Sequence, residues 1–453
     1  MITSRRVLAV ALVAAALLPA AGHAAPAPRL GPIVRVTTPG TAACHAEGET
    51  AVAITAAGTW VGYNDLGLCQ APNYVLGQRV TGLQLLPTGG GPAKLIELSP
   101  LETRAGYWGD PALAPDVDGR GVVLATLAGT SDPEVGVNSG SSATIRLEVL
   151  RVSGTGVATR LPAVSGPKPS DDKEAVAVDR GPRSPRRGWV YLVWDDVDAS
   201  EVILRAFDGR RWLPRVVVEP APGGRPDVAV SPTGAVAVAY ETGGGVQVRV
   251  AMDPRKPLAP AVPAITGADP GHVDPSCPLI NAVGVRQRVI RSPRLAWGTD
   301  GTLHLVASIG KGLNVTPPAA ASTAEATVVH AVSSDGGATW KVQPITERSA
   351  WAPSIAALPG GEVAVGYLEL ADSTGRTATA HIWRSRHGSV EVSAGAAALS
   401  VGSETTMSNY CYGMGDYTGI AARGGDVAYA WPSTAGAAAP GYDTDVLVRH
   451  LFT

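Results

Sequence analysis

The chain has 453 residues, 45% of them hydrophobic and 17% charged, with a formal net charge of −2, which leaves room for one large domain or two to three ordinary ones around a sizeable core. A near-neutral chain with no long basic run excludes a nucleic-acid binder that works through a basic footprint. The aromatic content is 10 Trp and 11 Tyr against 2 Phe, a bias that suits packing sites with one wet edge.

The first segment reads as a targeting signal. Arg5 and Arg6 precede an apolar run from Val7 to Leu18, and small residues follow to Ala24, so cleavage there leaves an exported chain of residues 25–453. The run is too short to span a bilayer, and no transmembrane segment is expected in the mature chain. Export makes Cys44, Cys69, Cys277 and Cys411 disulfide candidates, and their spacing fits no zinc site. Three pairings are open. Cys44–Cys69 with Cys277–Cys411 is preferred, and Cys44 with Cys411 is the main rival. The acceptor triplet at Asn314 is read as chance.

A strand-turn-strand-loop-strand unit then recurs at a spacing of roughly 60 residues. First strands are Glu49 to Ile54, Asp110 to Ala114, Lys173 to Val178, Arg225 to Val230, Ser292 to Ala296, Ala352 to Ala356 and Tyr417 to Ala421. Each places an aliphatic residue and then Ala at matched positions, as a crowded strand near a central channel requires. Second strands include Trp60 to Tyr63, Val236 to Tyr240 and Val427 to Trp431, and third strands Val202 to Arg205 and Val446 to Arg449. The 54 Gly and 37 Pro supply frequent turns.

Ser333 to Trp340 fit the pattern Ser-x-Asp-x-Gly-x-Thr-Trp, the Asp box. Ser333 and Asp335 can fold back on the turn, Gly337 supplies positive φ, and Trp340 opens the next strand. Asp208, Gly209 and Trp212 form a worn copy without the serine. On these motifs the chain resembles sialidase-like (Asp-box or BNR repeat) β-propellers. The expected fold is all-β: a single propeller of seven four-stranded blades, closed by pairing a strand over residues 33–38 with the last blade. Six blades plus an irregular segment, or a β-sandwich with a smaller β domain, remain open alternatives.

In such a propeller the Asp box and the first-to-second-strand turns share one face. The site belongs on the other, where loops enter first strands and leave second strands. Asp65, Asp110, Glu174, Asp195, Glu241 and Asp416, with several aromatics, converge there and suit a sugar. The resemblance implies a Tyr nucleophile activated by a Glu, an Asp acid/base and three arginines that clamp a carboxylate. The corresponding candidates are Asp65 or Asp110 as acid/base, Tyr240 with Glu241 or Tyr417 with Asp416 as nucleophile pair, and Arg225, Arg291, Arg294, Trp108 and Tyr412 as substrate-binding residues. The family's first arginine motif is absent, and Arg35 sits too far out to replace it. Plainer readings compete: Asp65 and Asp195 as turn caps, Tyr240, Tyr367, Trp194 and Trp431 as packing between blades, and residues 171–174 as a solvated loop. No cofactor is required. A calcium ion has only the carboxylates in its favour. The expected activity is exo-glycoside hydrolysis of terminal sugars by a monomer, and the alternative is a non-catalytic propeller that binds glycan or protein.

Overall fold

A short apolar strand with little alternation buries both faces, which places it between two other sheets. Second strands such as Val190–Asp196 and Val236–Thr242 have that composition and are buried apart from their last one or two residues. The computed structural model describes residues 28–37, 47–65, 81–99, 101, 105–130, 144–166, 169–267, 290–310, 326–371, 377–398, 415–434 and 444–452. The leader, the four cysteines, Asn314 and Tyr412 lie outside them, as does the side chain of Asp65.

The described residues form seven antiparallel sheets, and the regular structure besides strands is one 3₁₀ turn, Pro359–Gly361. Inner strands are Glu47–Ile54, Ala105–Pro115, Asp171–Val178, Gly224–Val230, Arg294–Trp297, Ala350–Ala357 and Gly419–Arg423. Each of the first six sheets is a meander of four strands in chain order, and the sixth adds Ala397–Ala398 against its third strand. No helix among the described residues is long and apolar enough to cross a membrane.

The sheets are the blades of a seven-bladed propeller, and the core shows it directly. Apolar side chains gather in one cluster at each junction between neighbouring blades, from blades one and two around to blades seven and one. Tyr240, Tyr367, Trp194 and Trp431 sit in these clusters, as their recurrence at second-strand ends suggests. The six-blade and sandwich alternatives fail against this closed ring.

Blade seven has only three strands from the chain's end. Its fourth is Arg29–Arg35, paired antiparallel with Asp445–Phe452, so strands from the two ends of the described chain close the ring and complete the last blade. The strand lies earlier than residues 33–38. It is irregular between Leu30 and Ile33, around Pro32, and past its end Val36 N still donates to Val446 O at 2.8 Å. Arg35 is spent on Asp445, Nη2 to Oδ2 3.0 Å.

Candidate functional site: the axial ring

Six inner strands share a backbone irregularity at the first matched position of the repeat. Glu49, Asp110, Lys173, Arg225, Ser292 and Ala352 all have φ between 44° and 51°. In five of those blades the pairing register shifts at the same place. These are β-bulges, which re-aim a side chain at the end of a strand. A left-handed non-glycine residue costs about 1–3 kcal/mol, and such outliers gather at functional sites. Proline follows at positions 111, 226, 293 and 353, removing an N–H that a bulge would leave unpaired.

Three of these positions are latched by the preceding blade. Asp110 N donates to Asn64 Oδ1 (2.7 Å), Arg225 N to Asp195 Oδ2 (2.8 Å) and Ser292 N to Glu241 Oε1 (3.0 Å). Asn64, Asp195 and Glu241 all end second strands, so these side chains cap the neighbouring blade rather than a local turn.

The ring meets at Lys173. Its Nζ lies 2.9 Å from Asp110 Oδ2, 3.2 Å from Asp416 Oδ2 and 3.6 Å from Glu49 Oε1. Four blades therefore contribute to one ion cluster. Residues 171–174 are not a solvated loop: they start an inner strand and are buried or half-buried. Burial works to lower the Lys173 ammonium, but Asp110, Glu49 and Asp416 hold it well above its usual range. Burial likewise works to raise Asp110, yet Lys173 and hydrogen bonds from Glu49 and Asn64 bring it down to about 2. Glu49 goes the other way, pushed well up by burial and by the Asp110 charge. Among the described residues no cluster of His, Cys, Asp or Glu could hold a metal ion. The carboxylates that suggest calcium converge on an ammonium instead.

Beside this hub opens a pocket lined by Lys173, Glu174, Arg225, Ser292, Arg294 and Tyr417, with Pro226 and Ile290. Its empty volume is ≈ 300 Å³, counting the part open to solvent. Ser292 is the small member of the ring at this edge. Glu174 is 6% exposed, and neither carboxyl oxygen has a hydrogen-bond partner. Burial first, then the Asp110 charge, push it well above the usual carboxylate range. The Tyr417 ring has the Lys173 ammonium 5.5 Å and the Arg294 guanidinium 5.0 Å from its centre.

Of the sequence candidates, the structure brings Asp110, Asp416, Tyr417, Arg225 and Arg294 to the axis. It separates the others. Tyr240 faces a blade junction and donates to Glu219 Oε2 at 2.9 Å, while its neighbour Glu241 turns to Arg225 Nη1 at 2.8 Å. Adjacent residues on a strand point to opposite faces, so the Tyr240–Glu241 pair does not form. Arg291 is buried and donates to the carbonyls of Thr242, Gly245 and Gly267, which bracket blade four and leave it no ligand role. Trp108 packs at the junction of blades two and three, over Gly129. Arg225 is engaged by Glu241, and Arg294 lies 4.0 Å from Asp227. A three-arginine clamp is therefore not assembled. Lys173 was the residue missed, although it occupies the same repeat position as Glu49, Asp110 and Arg225.

The Ser333–Trp340 turn lies on the opposite face. Ser333 Oγ donates to Asp335 Oδ1 (2.7 Å) and accepts from Gly337 N (2.8 Å), and Thr339 N and Oγ1 donate to Asp335 at 2.9 and 2.6 Å. These bonds draw the Asp335 carboxyl down to about 2. Gly336 and Gly337 take φ of 73° and 96°, and Trp340 packs on the cluster between blades four and five.

No family model and no curated protein matches this chain. Among solved structures, a protein of unknown function from Dyadobacter fermentans is similar at 12% identity and a TM-score of 0.47, over 94% of this chain and all of that one. A polysaccharide lyase is similar at 11% identity and 0.47, over 89% and 90% of the two chains. A Hadza microbial sialidase is similar at 13% and 0.41, over 72% and 63%.

Proposed function

We propose that this protein is an exported glycan-acting propeller, cleaved after Ala24, that takes a terminal sugar into the axial pocket and hydrolyses its glycosidic bond. The carrying observation is the pair Glu174 and Asp110. The Glu174 carboxyl is pushed well above the usual carboxylate range in the pocket, and Asp110, paired with Lys173, is drawn down to about 2, the division that general acid and anionic partner require. Glu174 would protonate the leaving oxygen, with Asp110 as the anion beside it. Arg225, Arg294 and Ser292 would bind hydroxyl or carboxylate groups. The Asp-box resemblance of Ser333–Trp340 agrees with a sialidase-like origin.

Tyr417 supports a second reading, glycan binding without catalysis. Burial and the charges of Asp110, Glu49 and Glu174 raise its phenol well above the usual range, the reverse of nucleophile activation. The test is a panel of fluorogenic sialosides and neutral glycosides from pH 4 to 8, with the Glu174→Gln variant beside the wild type. Hydrolysis predicts turnover on at least one substrate and a loss of roughly 10²–10⁴-fold in E174Q. Folded wild type inert on every substrate sinks the enzyme reading. Glycan-array binding in that case leaves the second reading, and its absence removes both.

A further inference from the structure

At the end of the propeller opposite the pocket, three side chains meet across the seam between blades one and seven. Thr59 lies at the start of Gly58–Asp65, the second strand of blade one. Asp426 opens the second strand of blade seven, Asp426–Ser433, and His450 lies on the third, Asp445–Phe452. His450 Nδ1 is 2.7 Å from Asp426 Oδ1, and its Nε2 is 3.1 Å from Thr59 Oγ1. A carboxylate only accepts, so the ring proton sits on Nδ1 and the Nε2 lone pair faces the hydroxyl. The imidazole also stacks on Phe452, with ring centres 5.7 Å apart. A hydroxyl, a base within reach of it and a third group that orients the base are the parts of an activated nucleophile.

Thr59 is buried, 4% exposed, so no large outside acyl group reaches its hydroxyl. The acyl group beside it is the carbonyl of Gly58, the preceding residue. That carbonyl is held by two donors, Thr55 N at 2.9 Å and Thr55 Oγ1 at 3.4 Å. The first bond closes the hairpin turn. The second is not required by the turn, and its direction is fixed. Ala57 N and Trp60 Nε1 both donate to Thr55 Oγ1, at 3.1 and 2.9 Å, which fills the oxygen's lone pairs and leaves its single proton for Gly58 O. Two donors on one carbonyl oxygen make an oxyanion hole. Position 58 admits only glycine: its φ is 149°, and a Cβ there would lie 2.1 Å from Leu86 O. No side chain therefore stands on the acyl side of the Gly58–Thr59 bond.

We propose that the chain cleaves its own peptide bond between Gly58 and Thr59. Thr59 Oγ1 attacks the Gly58 carbonyl carbon while His450 Nε2 takes the hydroxyl proton. The tetrahedral oxyanion rests on Thr55 N and Oγ1. The C–N bond then breaks, and His450 returns the proton to the departing Thr59 nitrogen. The product is an ester between Gly58 and Thr59 Oγ1, with a free Thr59 α-amine. Water adds to the ester carbon and releases the Gly58 carboxyl and the Thr59 hydroxyl, so one water is consumed and nothing is oxidised or reduced. Water has access on this side, since the His450 and Asp426 side chains are 22% and 30% exposed. Thr59 and His450 are the catalytic residues, and Asp426 positions the imidazole. The cleaved chain stays assembled, because Arg29–Arg35 pairs with blade seven and Glu47–Ile54 with the second strand of blade one.

The test holds the full mature protein near neutral pH and reads denatured aliquots by intact mass and N-terminal sequencing. Wild type should resolve into one fragment that ends at Gly58 and one that begins at Thr59. Hydroxylamine, which attacks esters, should speed the splitting and leave a hydroxamate on Gly58, a mark that no contaminating protease leaves. Thr59→Ser should still split. Thr59→Val, which keeps the shape and loses the hydroxyl, should stay one chain. His450→Ala should split roughly 10²-fold more slowly or worse. Asp426→Asn should slow the reaction and Asp426→Glu should recover part of the rate. Melting curves establish that each variant is folded. A wild type that remains one chain with and without hydroxylamine overturns the proposal, and so does a Thr59→Val protein that splits at the same bond.

Discussion

Asp195 shows how one latch couples the ring to pH. Its Oδ2 accepts from Arg225 N, its Oδ1 has no partner, and burial pushes the carboxyl up to about 8. In the unfolded chain it titrates near 4. Between those values the unfolded state has lost the proton that the folded state keeps, so its contribution is full in acid and is lost as pH rises toward 8. The slope is at most roughly 1.4 kcal/mol per pH unit. Asp195→Asn keeps an acceptor for Arg225 N and removes the titration. The melting temperature of D195N should fall less than that of wild type between pH 5 and 8, and equal slopes would refute the assignment. His304 and His330, stacked and buried with ring nitrogens 3.1 Å apart, work in the other direction. Burial holds His330 down to about 4, so their contribution is lost as pH falls through that value, and both variants should share that acid limb. None of this was legible from the residues alone. Asp195 reads as a turn cap, and only the packing of one blade on the next shows that it caps a neighbour.

Strands and turns were the most readable level. An aliphatic residue followed by Ala marked all seven inner strands because that position is crowded whatever the side chains outside it do. The Ser333–Trp340 turn could be read atom by atom because its bonds are local, each spanning at most four residues. Ser333→Ala leaves the buried Gly337 N–H without an acceptor and should cost about 1–2 kcal/mol in urea unfolding. It should leave the axial pocket unchanged, since the turn lies at the other end of the channel; an altered pocket activity in a folded S333A protein would contradict that separation. The repeat alignment also contained the site, unrecognised. Its first column is Glu49, Asp110, Lys173, Arg225, Ser292, Ala352 and Tyr417, six of them left-handed. Strand phase alone does not announce a bulge, because β-branched alternation resumes two residues later. Proline one residue after this column in four of the seven units was the available signal.

A propeller of seven similar sheets must solve one problem that no single blade has, the seam between its first and last blades. Two devices act there. The outer one is strand Arg29–Arg35 on Asp445–Phe452, and the chain ends announced it, since a three-stranded last unit needs a partner. The inner one is the Lys173 cluster, whose carboxyl groups Glu49 and Asp416 come from either side of the seam; Asp416 N also donates to Glu49 Oε1 at 3.2 Å. Attraction within such a cluster roughly offsets the desolvation of its members, but removing the lone cation leaves buried carboxylates unbalanced, at about 3–5 kcal/mol. Lys173→Met should therefore lower stability by that amount while filling nearly the same volume. Adding Glu49→Gln and Asp416→Asn should restore part of it, because the penalty belongs to the orphaned charges and not to the lost side chain. Calorimetry on the three proteins separates the two causes: if K173M/E49Q/D416N is no more stable than K173M, the hub is a packing element rather than an electrostatic lock on the ring.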